Sequence, residues 1–352
     1  MILHVAGLDK FIPPFVNFVY EEFDESHHFW LVGSIEKHPL TLRDGIYICG
    51  RGFVNRLKGY TKLIFQLHAA KKVIIHGLFS RSIELILALF PWLLPKCYWV
   101  IWGNDLYRYQ NPRIGFKSNF NEAIRKFVIK RIGHLVTYIP GDVALARKWY
   151  GAQGQHHECL MYLSNLVSPQ ALESSTTTNV LERSLSILVG NSADPSNNHI
   201  EVLEKLLPYK SKNIKIYVPL SYGNKSHAVN VSKLGQEWFG EKFIPLNTFM
   251  PFDKYLEFLK NIDIAFFNHE RQQGMGNTIT LLGLGKSVYM RNDVSQWCFL
   301  TKLGIKIKSI TSFSMSSPIS LTENERKNNI NLVQSYFSKE KLIVQLSNIF
   351  RS

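Results

Sequence analysis

The sequence predicts an α/β protein of two lobes, each built on a parallel sheet covered on both faces by helices. Three observations predict it. Apolar runs of strand length alternate with segments of helical spacing along most of the 352 residues, the mark of βαβ units. The alternation breaks once, at the Ser/Thr-rich stretch Leu172–Ser184, and then restarts. Several runs also end in glycine followed by a polar group, as at the carboxyl edge where open α/β sheets hold their ligands.

In the first lobe the strand-like runs are Ile2–Gly7, His28–Gly33, Ile46–Gly50, Lys72–Gly77, Cys97–Gly103 and His134–Pro140. Helical spacing separates most of them, at Phe15–Phe23, Asn55–Ala70, Ser82–Phe90 and Lys117–Arg131. In the second lobe strands are predicted at Leu185–Asn191, Ile214–Leu220, Lys242–Asn247, Ile262–Asn268, Lys286–Asn292 and Gly304–Ile310. Helices are expected at Asn197–Leu207, Ala228–Phe239 and Pro251–Asn261, with more over Asn324–Ile349. The resulting division is residues 1–171 as first lobe, 172–184 as linker, 185–323 as second lobe and 324–352 as a helical tail.

Composition narrows the function. A 45% hydrophobic content supplies sizeable cores, and a formal charge of +14 points to an anionic partner. Lys and Arg are spread over both halves without a basic tail or stripe, which argues against nucleic acid. Cys49, Cys97, Cys159 and Cys298 are scattered without metal-ligand spacing and read as free thiols of a reducing compartment. The first residues read as strand and turn, not signal peptide. The most apolar window, Ile86–Pro95, is too short to span a bilayer and is broken by Pro91.

Five places carry possible chemistry. Ile262–Gly285 reads as a buried strand, a polar turn His269–Gly276, and a helix capped by Asn277 or Thr278 and closed by Gly285. A glycine-containing turn feeding a helix start offers N–H groups and the positive end of a dipole, which suits phosphate, and Arg271 adds a fork donor. An ordinary loop whose glycines only make the turn explains this stretch equally well. GMG is not a dinucleotide fingerprint, and no GKS or GKT follows. The turn Val189–His199 is a second anion-competent helix start. Capping by Ser196 or Asn197 accounts for those two residues and leaves Asn191, Ser192 and Asp194 over. A donor diphosphate held between the two turns would meet Gly190, Asn191, Ser192, Asn197, Arg271, Gln272, Gln273, Gly274, Gly276, Asn277 and Thr278.

The remaining three lie in the first lobe. Asp105 follows a buried strand among Trp102, Tyr107 and Tyr109, so it reads as a proton acceptor or, equally, as a helix cap. His76 ends a strand, and a lone histidine there is more often structural. Asp9, with His4 and Gly7, lies in the loop after the first strand. Asp105 is the first choice of base, with His76 and Asp9 in reserve. There is no D-x-D triplet, metal cluster or G-x-S-x-G elbow, so no metal or cofactor is expected. The segment Pro112–Gly133 is the best membrane candidate: Phe116, Phe120, Ile124, Phe127, Val128 and Ile132 form a stripe. Lys117, Arg125, Lys126, Lys130 and Arg131 form its basic face. A helix packed on the sheet is the better reading of the stripe itself.

HVAGLD, IIHG, IWGNDLY, LVGNSADPSNNHI and RQQGMGNT, in this order and spacing, resemble the TDP-N-acetylfucosamine:lipid II N-acetylfucosaminyltransferases, glycosyltransferase family 56. The resemblance runs from the first strand to about Asn292. It implies a GT-B architecture, two Rossmann-like lobes facing a central cleft, with the nucleotide sugar mainly on the second. It also implies metal-independent transfer of a 4-acetamido-4,6-dideoxyhexose from a TDP-sugar donor to an undecaprenyl-diphosphate-linked glycan. That reaction belongs to enterobacterial common antigen, O-antigen or related polysaccharide synthesis. The implied location is peripheral, on an anionic membrane surface at the cytoplasmic face of the inner membrane. The E-x7-E pattern of many retaining GT-B enzymes is absent, since Thr278 stands eight residues after Glu270, which speaks against a catalytic or ribose-binding Glu270. Two alternatives stay open: a GT-B transferase with another nucleotide sugar, and a non-catalytic nucleotide-binding protein. A dehydrogenase would need G-x-G-x-x-G after the first strand, where GLDKFI stands.

Overall fold

The computed structural model describes residues 1–112, 114–167, 184–316 and 319–351. The expected linker, apart from Ser184, lies outside the described residues. The chain forms two compact units: Met1–Ser164 with Lys339–Ser352, and Asn165–Ser338.

The first unit is a seven-stranded sheet, ordered β3-β2-β1-β4-β5-β6-β7. Its strands are β1 (Ile2–Gly7), β2 (His27–Val32), β3 (Ile46–Cys49), β4 (Lys72–His76), β5 (Cys97–Val100), β6 (His134–Val136) and β7 (Gln155–His157). Every pair is parallel. The connections are therefore crossovers, carried by α1 (Ile12–Glu22), α2 (Phe53–Ala69), α3 (Arg81–Leu89), the short α4 (Asn104–Tyr107), α5 (Phe116–Arg131) and α6 (Pro140–Tyr150). Right-handed crossovers put α2, α3, α5 and α6 on one face and α1 on the other. The core agrees: Leu63, Leu67, Leu87, Val128, Ile129 and Ala146 pack with Val73, Ile75, Trp99 and Leu135.

The second unit is a six-stranded sheet, ordered β10-β9-β8-β11-β12-β13. Its strands are β8 (Leu185–Val189), β9 (Ile214–Pro219), β10 (Phe243–Leu246), β11 (Ile264–Phe267), β12 (Ser287–Met290) and β13 (Lys308–Ser309), again all parallel. The helices are α7 (His199–Leu206), α8 (Lys225–Phe239), α9 (Phe252–Lys260), α10 (Met275–Gly283), α11 (Ser295–Lys302) and α12 (Glu323–Tyr336). The last helix, α13 (Lys339–Arg351), belongs to the first unit. There Phe350 sets its ring 4.9 Å from Phe23 and 4.6 Å from His27.

Two local expectations are corrected. Helix α10 begins at Met275, with Gly274 as N-cap at φ 64°, not at Asn277 or Thr278. Glycine enters the left-handed region without strain and so starts the helix early. Near Val189–His199, Asp194 caps a 3-10 turn through Ser196 N–H, and α7 starts only at His199. The stripe of α5 also divides. Val128 and Ile132 are core, Phe116 and Phe120 are 85% and 54% exposed, and Arg125, expected on the basic face, is 1% exposed. Among the described residues no helix is long and apolar enough to cross a membrane.

Candidate active site

Both sheets reverse strand order once, at β1/β4 and at β8/β11. Ligands of open α/β sheets bind beside such switch points, at the carboxyl ends of the strands. The loops after these four strands carry nearly all the candidate residues.

In the second unit the turns after β8 and β11 are cross-linked. Gly190 leaves β8 at φ 71°, where a Cβ would come 2.6 Å from His199 Nε2. Asn191 N–H donates to Asn197 Oδ1 (2.8 Å), and Asn197 Nδ2 donates to the Asp194 carbonyl (3.0 Å). From the other turn, Gln273 Nε2 donates to Asn191 Oδ1 (3.0 Å), and Ser196 Oγ lies 2.9 Å from Gln273 Oε1. Arg271 Nη2 meets Asp194 Oδ2 at 3.0 Å. Burial would raise the Asp194 carboxyl, but the Ser196 hydroxyl and N–H, with Arg271, outweigh it and hold the pKa below the usual value.

His269 is wholly buried between the turns. Its Nε2 lies 3.0 Å from Asn197 Oδ1 and its Nδ1 3.1 Å from the Gln273 carbonyl. Both partners are acceptors, so a neutral ring satisfies one and a charged ring both. Burial lowers its pKa to about 3. Gly274, at φ 64°, approaches this ring so closely that a Cβ would lie 2.9 Å from it. The first-turn N–H groups of α10, that of Gly276 among them, have no partner within the helix and no side-chain cap. Asn277 Nδ2 donates to the Tyr255 hydroxyl (2.9 Å), while Thr278 Oγ1 bonds back to the Gly274 carbonyl (3.1 Å). Ser192 is buried and lies 3.4 Å from Gln273 Nε2, and Gln272 has a buried Oε1 without a partner among the described residues.

Three contributors were not singled out from sequence. Gln296 on α11 accepts from Gln273 N–H (3.1 Å), and Tyr255 on α9 meets Asn277. Neither belongs to a motif, so no local signal marks them. His269 stood inside the turn already selected, and its place next to a buried strand was the available signal.

In the first unit Asp105 is fully buried. Its Oδ1 accepts from Trp102 N–H (2.9 Å) and Leu106 N–H (3.0 Å). Its Oδ2 accepts from Leu78 N–H (3.0 Å) and the Trp99 indole (2.7 Å). All four lone-pair directions are thus used by the fold. Arg125 completes the lock by donating to the carbonyls of Leu78 and Asp105 and to Glu84.

His76 is also internal. The Trp102 indole, which can only donate, gives to the Tyr162 hydroxyl (2.9 Å), and that hydroxyl lies 2.6 Å from His76 Nδ1. His76 Nε2 meets His4 Nδ1 at 3.0 Å, and His4 Nε2 meets His27 Nδ1 at 3.0 Å. Burial lowers His76 to about 3 and His27 to about 4, so the chain is neutral. Asp9 differs from both. It lies half-buried in the loop after β1, with one oxygen accepting from Phe11 N–H (2.8 Å). Burial raises its pKa against the pull of the Phe11 and Ile12 N–H groups. Among the described residues no three His, Cys, Asp or Glu side chains are grouped to hold a metal ion.

Comparison with solved structures identifies the fold. The N-terminal domain of Candida albicans trehalose-6-phosphate phosphatase matches with a TM-score of 0.65 at 9% identity, covering 99% of this chain and 96% of that one. WaaG, a glycosyltransferase of lipopolysaccharide biosynthesis, matches with 0.57 at 10%, covering 100% and 94%. Sucrose-phosphate synthase from Thermosynechococcus elongatus matches with 0.62 at 10%, covering 100% and 98%. At such identities the likeness shows the fold alone, which is GT-B. The family pattern described as 4-alpha-L-fucosyltransferase, glycosyl transferase group 56, matches residues 61–307 and so takes in the turns after β4, β5, β8 and β11. The chain is a glycosyltransferase of the 4-alpha-L-fucosyltransferase family, group 56.

Proposed function

We propose that the protein moves a 4-acetamido-4,6-dideoxyhexose, N-acetylfucosamine type, from a TDP-sugar to an undecaprenyl-diphosphate-linked glycan. The acceptor places it peripherally at the cytoplasmic face of the bacterial inner membrane, in synthesis of enterobacterial common antigen or a related polysaccharide. One observation carries the donor side: two glycine turns at the β8/β11 switch point, tied together by Gln273 beside the start of α10. Such a start stabilises phosphate through N–H groups and dipole. Arg271 commits one nitrogen to Asp194, and its fork has further donors for a diphosphate. Charge that develops on the leaving group is then neutralised by fixed dipoles and a guanidinium, without a metal.

On the acceptor side Asp9 takes the role of base in this proposal. It lies at the β1/β4 switch point, keeps one oxygen outside the Phe11 bond, and has the raised pKa a proton acceptor needs. Asp105 and His76 act as positioning groups: one ties the loops after β4 and β5, the other lies in the histidine chain. Calorimetric titration with TDP, UDP, GDP and single-stranded DNA tests the reading. TDP should bind most tightly. Preference for another nucleotide would replace the donor, and binding of DNA alone would replace the function.

A further inference from the structure

The crossover helices α2, α3 and α5 run back towards the start of the next parallel strand, α5 after the intervening α4, so their first turns lie towards the carboxyl edge of the first sheet. Two of these starts project beyond the core. All six residues Phe53–Lys58 are exposed. Phe53 is 83% exposed, Val54 61% and Leu57 57% at the start of α2, and Ile114 is 89%, Phe116 85% and Phe120 54% at α5. Phe53 with Leu57, and Phe116 with Phe120, are spaced i, i+4, so each pair forms a ridge on one helix face. Phe116 and Phe120 stack on each other with centroids 6.3 Å apart. Phe79, 47% exposed, stands just before α3 on the same edge. Single exposed apolar residues are ordinary, but two ridges of large ones at helix starts on one edge of a sheet, one after β3 and one after β5, are not.

The stretches of chain leading into these ridges carry charge of one sign. No Asp or Glu occurs between Asp44 and Glu84, while Arg51, Arg56, Lys58, Lys62, Lys71, Lys72 and Arg81 do. None occurs between Asp105 and Glu122 either. Arg51, Arg56, Lys58, Arg81 and Lys117 are exposed. A second copy would bring positive charge against positive. An anionic bilayer meets both features at once, with headgroups for the guanidinium and ammonium groups and an acyl boundary for the ridges.

We propose that the starts of α2 and α5 form the membrane-docking edge of the first unit, inserting Phe53, Leu57, Phe116 and Phe120 into an anionic phospholipid surface. The proposal rests on the lipid-linked acceptor reading only for its biological purpose.

The full chain is sedimented with vesicles of phosphatidylethanolamine and phosphatidylglycerol, and with phosphatidylcholine alone. Wild type should pellet with the anionic vesicles and far less with the neutral ones. Phe53→Ser with Leu57→Ser, and separately Phe116→Ser with Phe120→Ser, should weaken binding roughly tenfold or more. Arg56→Gln with Lys58→Gln should weaken it about fivefold per charge. Melting temperature and TDP affinity should change little, because these side chains are largely exposed and lie outside the turns after β8 and β11. Unchanged vesicle binding in both apolar variants overturns the proposal. So does a wild-type dimer that the same variants dissociate, or single-stranded DNA binding that depends on these residues while vesicles are ignored. Transfer to a water-soluble acceptor analogue separates the two claims. Its failure in wild type counts against the function, whereas vesicle binding alone decides the docking edge.

Discussion

Asp105→Asn separates a chemical carboxylate from a structural one, and the structure sets the size of the effect. The carboxylate accepts four N–H bonds, from Leu78, Trp99, Trp102 and Leu106, and is fully buried. An amide can keep one oxygen. At the other position an NH2 group faces two N–H donors, whichever way the side chain is turned. Hydrogen bonds to a charged group contribute about 1.5–3 kcal/mol each, so the two lost bonds come to about 3–6 kcal/mol. Removing a buried negative charge offsets part of this, which leaves roughly 3 kcal/mol. In a unit of this size that lowers Tm by about 6–12 °C. Asp9→Asn keeps its bond to Phe11 N–H and should leave Tm within about 2 °C, since half-exposed positions tolerate such changes. Transfer should instead fall by about 10²–10⁴ with TDP affinity unchanged. Differential scanning calorimetry and an initial-rate assay read both. A well-folded, inactive Asp105→Asn beside a fully active Asp9→Asn would exclude Asp9 and restore Asp105 as the base.

Arg271→Ala should weaken TDP binding roughly tenfold or more and slow transfer, because the leaving group loses a charge-assisted donor; unchanged affinity and turnover in a folded variant would remove Arg271 from the site. Transfer in excess EDTA should equal that in Mg²⁺, and full loss restored by Mg²⁺ or Mn²⁺ would overturn the neutralisation by helix start and guanidinium. Acid should destabilise the fold from mildly acidic pH onward. Burial lowers His76 and His269 to about 3, whereas an unfolded histidine titrates near about 6.5. Between those values the unfolded chain binds more protons, so stability present above about pH 6.5 is lost as pH falls, by up to about 1.4 kcal/mol per pH unit for each ring. Melts from pH 7.5 to 5 should show a falling Tm, and a flat or rising one would contradict the neutral, buried rings.

What was legible in the sequence is what local pattern controls. The run Ile264–Phe267 reads as a strand buried on both faces, and β11 is that strand. The turns after β8 and β11 were visible because glycine and polar residues must follow such strands. Sequence could not show what closes a site from a distance. The four donors around Asp105 come from residues 78, 99, 102 and 106, and only the fold brings them together. Helical periodicity put Arg125 with its basic neighbours, yet the carbonyls of Leu78 and Asp105 and the carboxylate of Glu84 draw it inside. Strand β7, Gln155–His157, has no apolar run to announce it, because an edge strand held by pairing to β6 needs none. Gln273 looked like one polar residue among several, and its importance lies in reaching Asn191 on a turn 82 positions away.

Transfer of a sugar from TDP by means of the β8/β11 turns can be followed on the intact product. The direct measurement is mass spectrometry of an undecaprenyl-diphosphate-linked glycan incubated with TDP-N-acetylfucosamine and either wild type or Gln273→Ala. Wild type should add one acetamido-dideoxyhexose to the glycan and release TDP. Gln273→Ala, which cuts the Gln273 bridge between the turns and leaves Arg271–Asp194 and His269–Asn197, should slow this by roughly tenfold or more while the fold persists. No mass gain with wild type, or a Gln273→Ala protein that transfers at the wild-type rate, would contradict it.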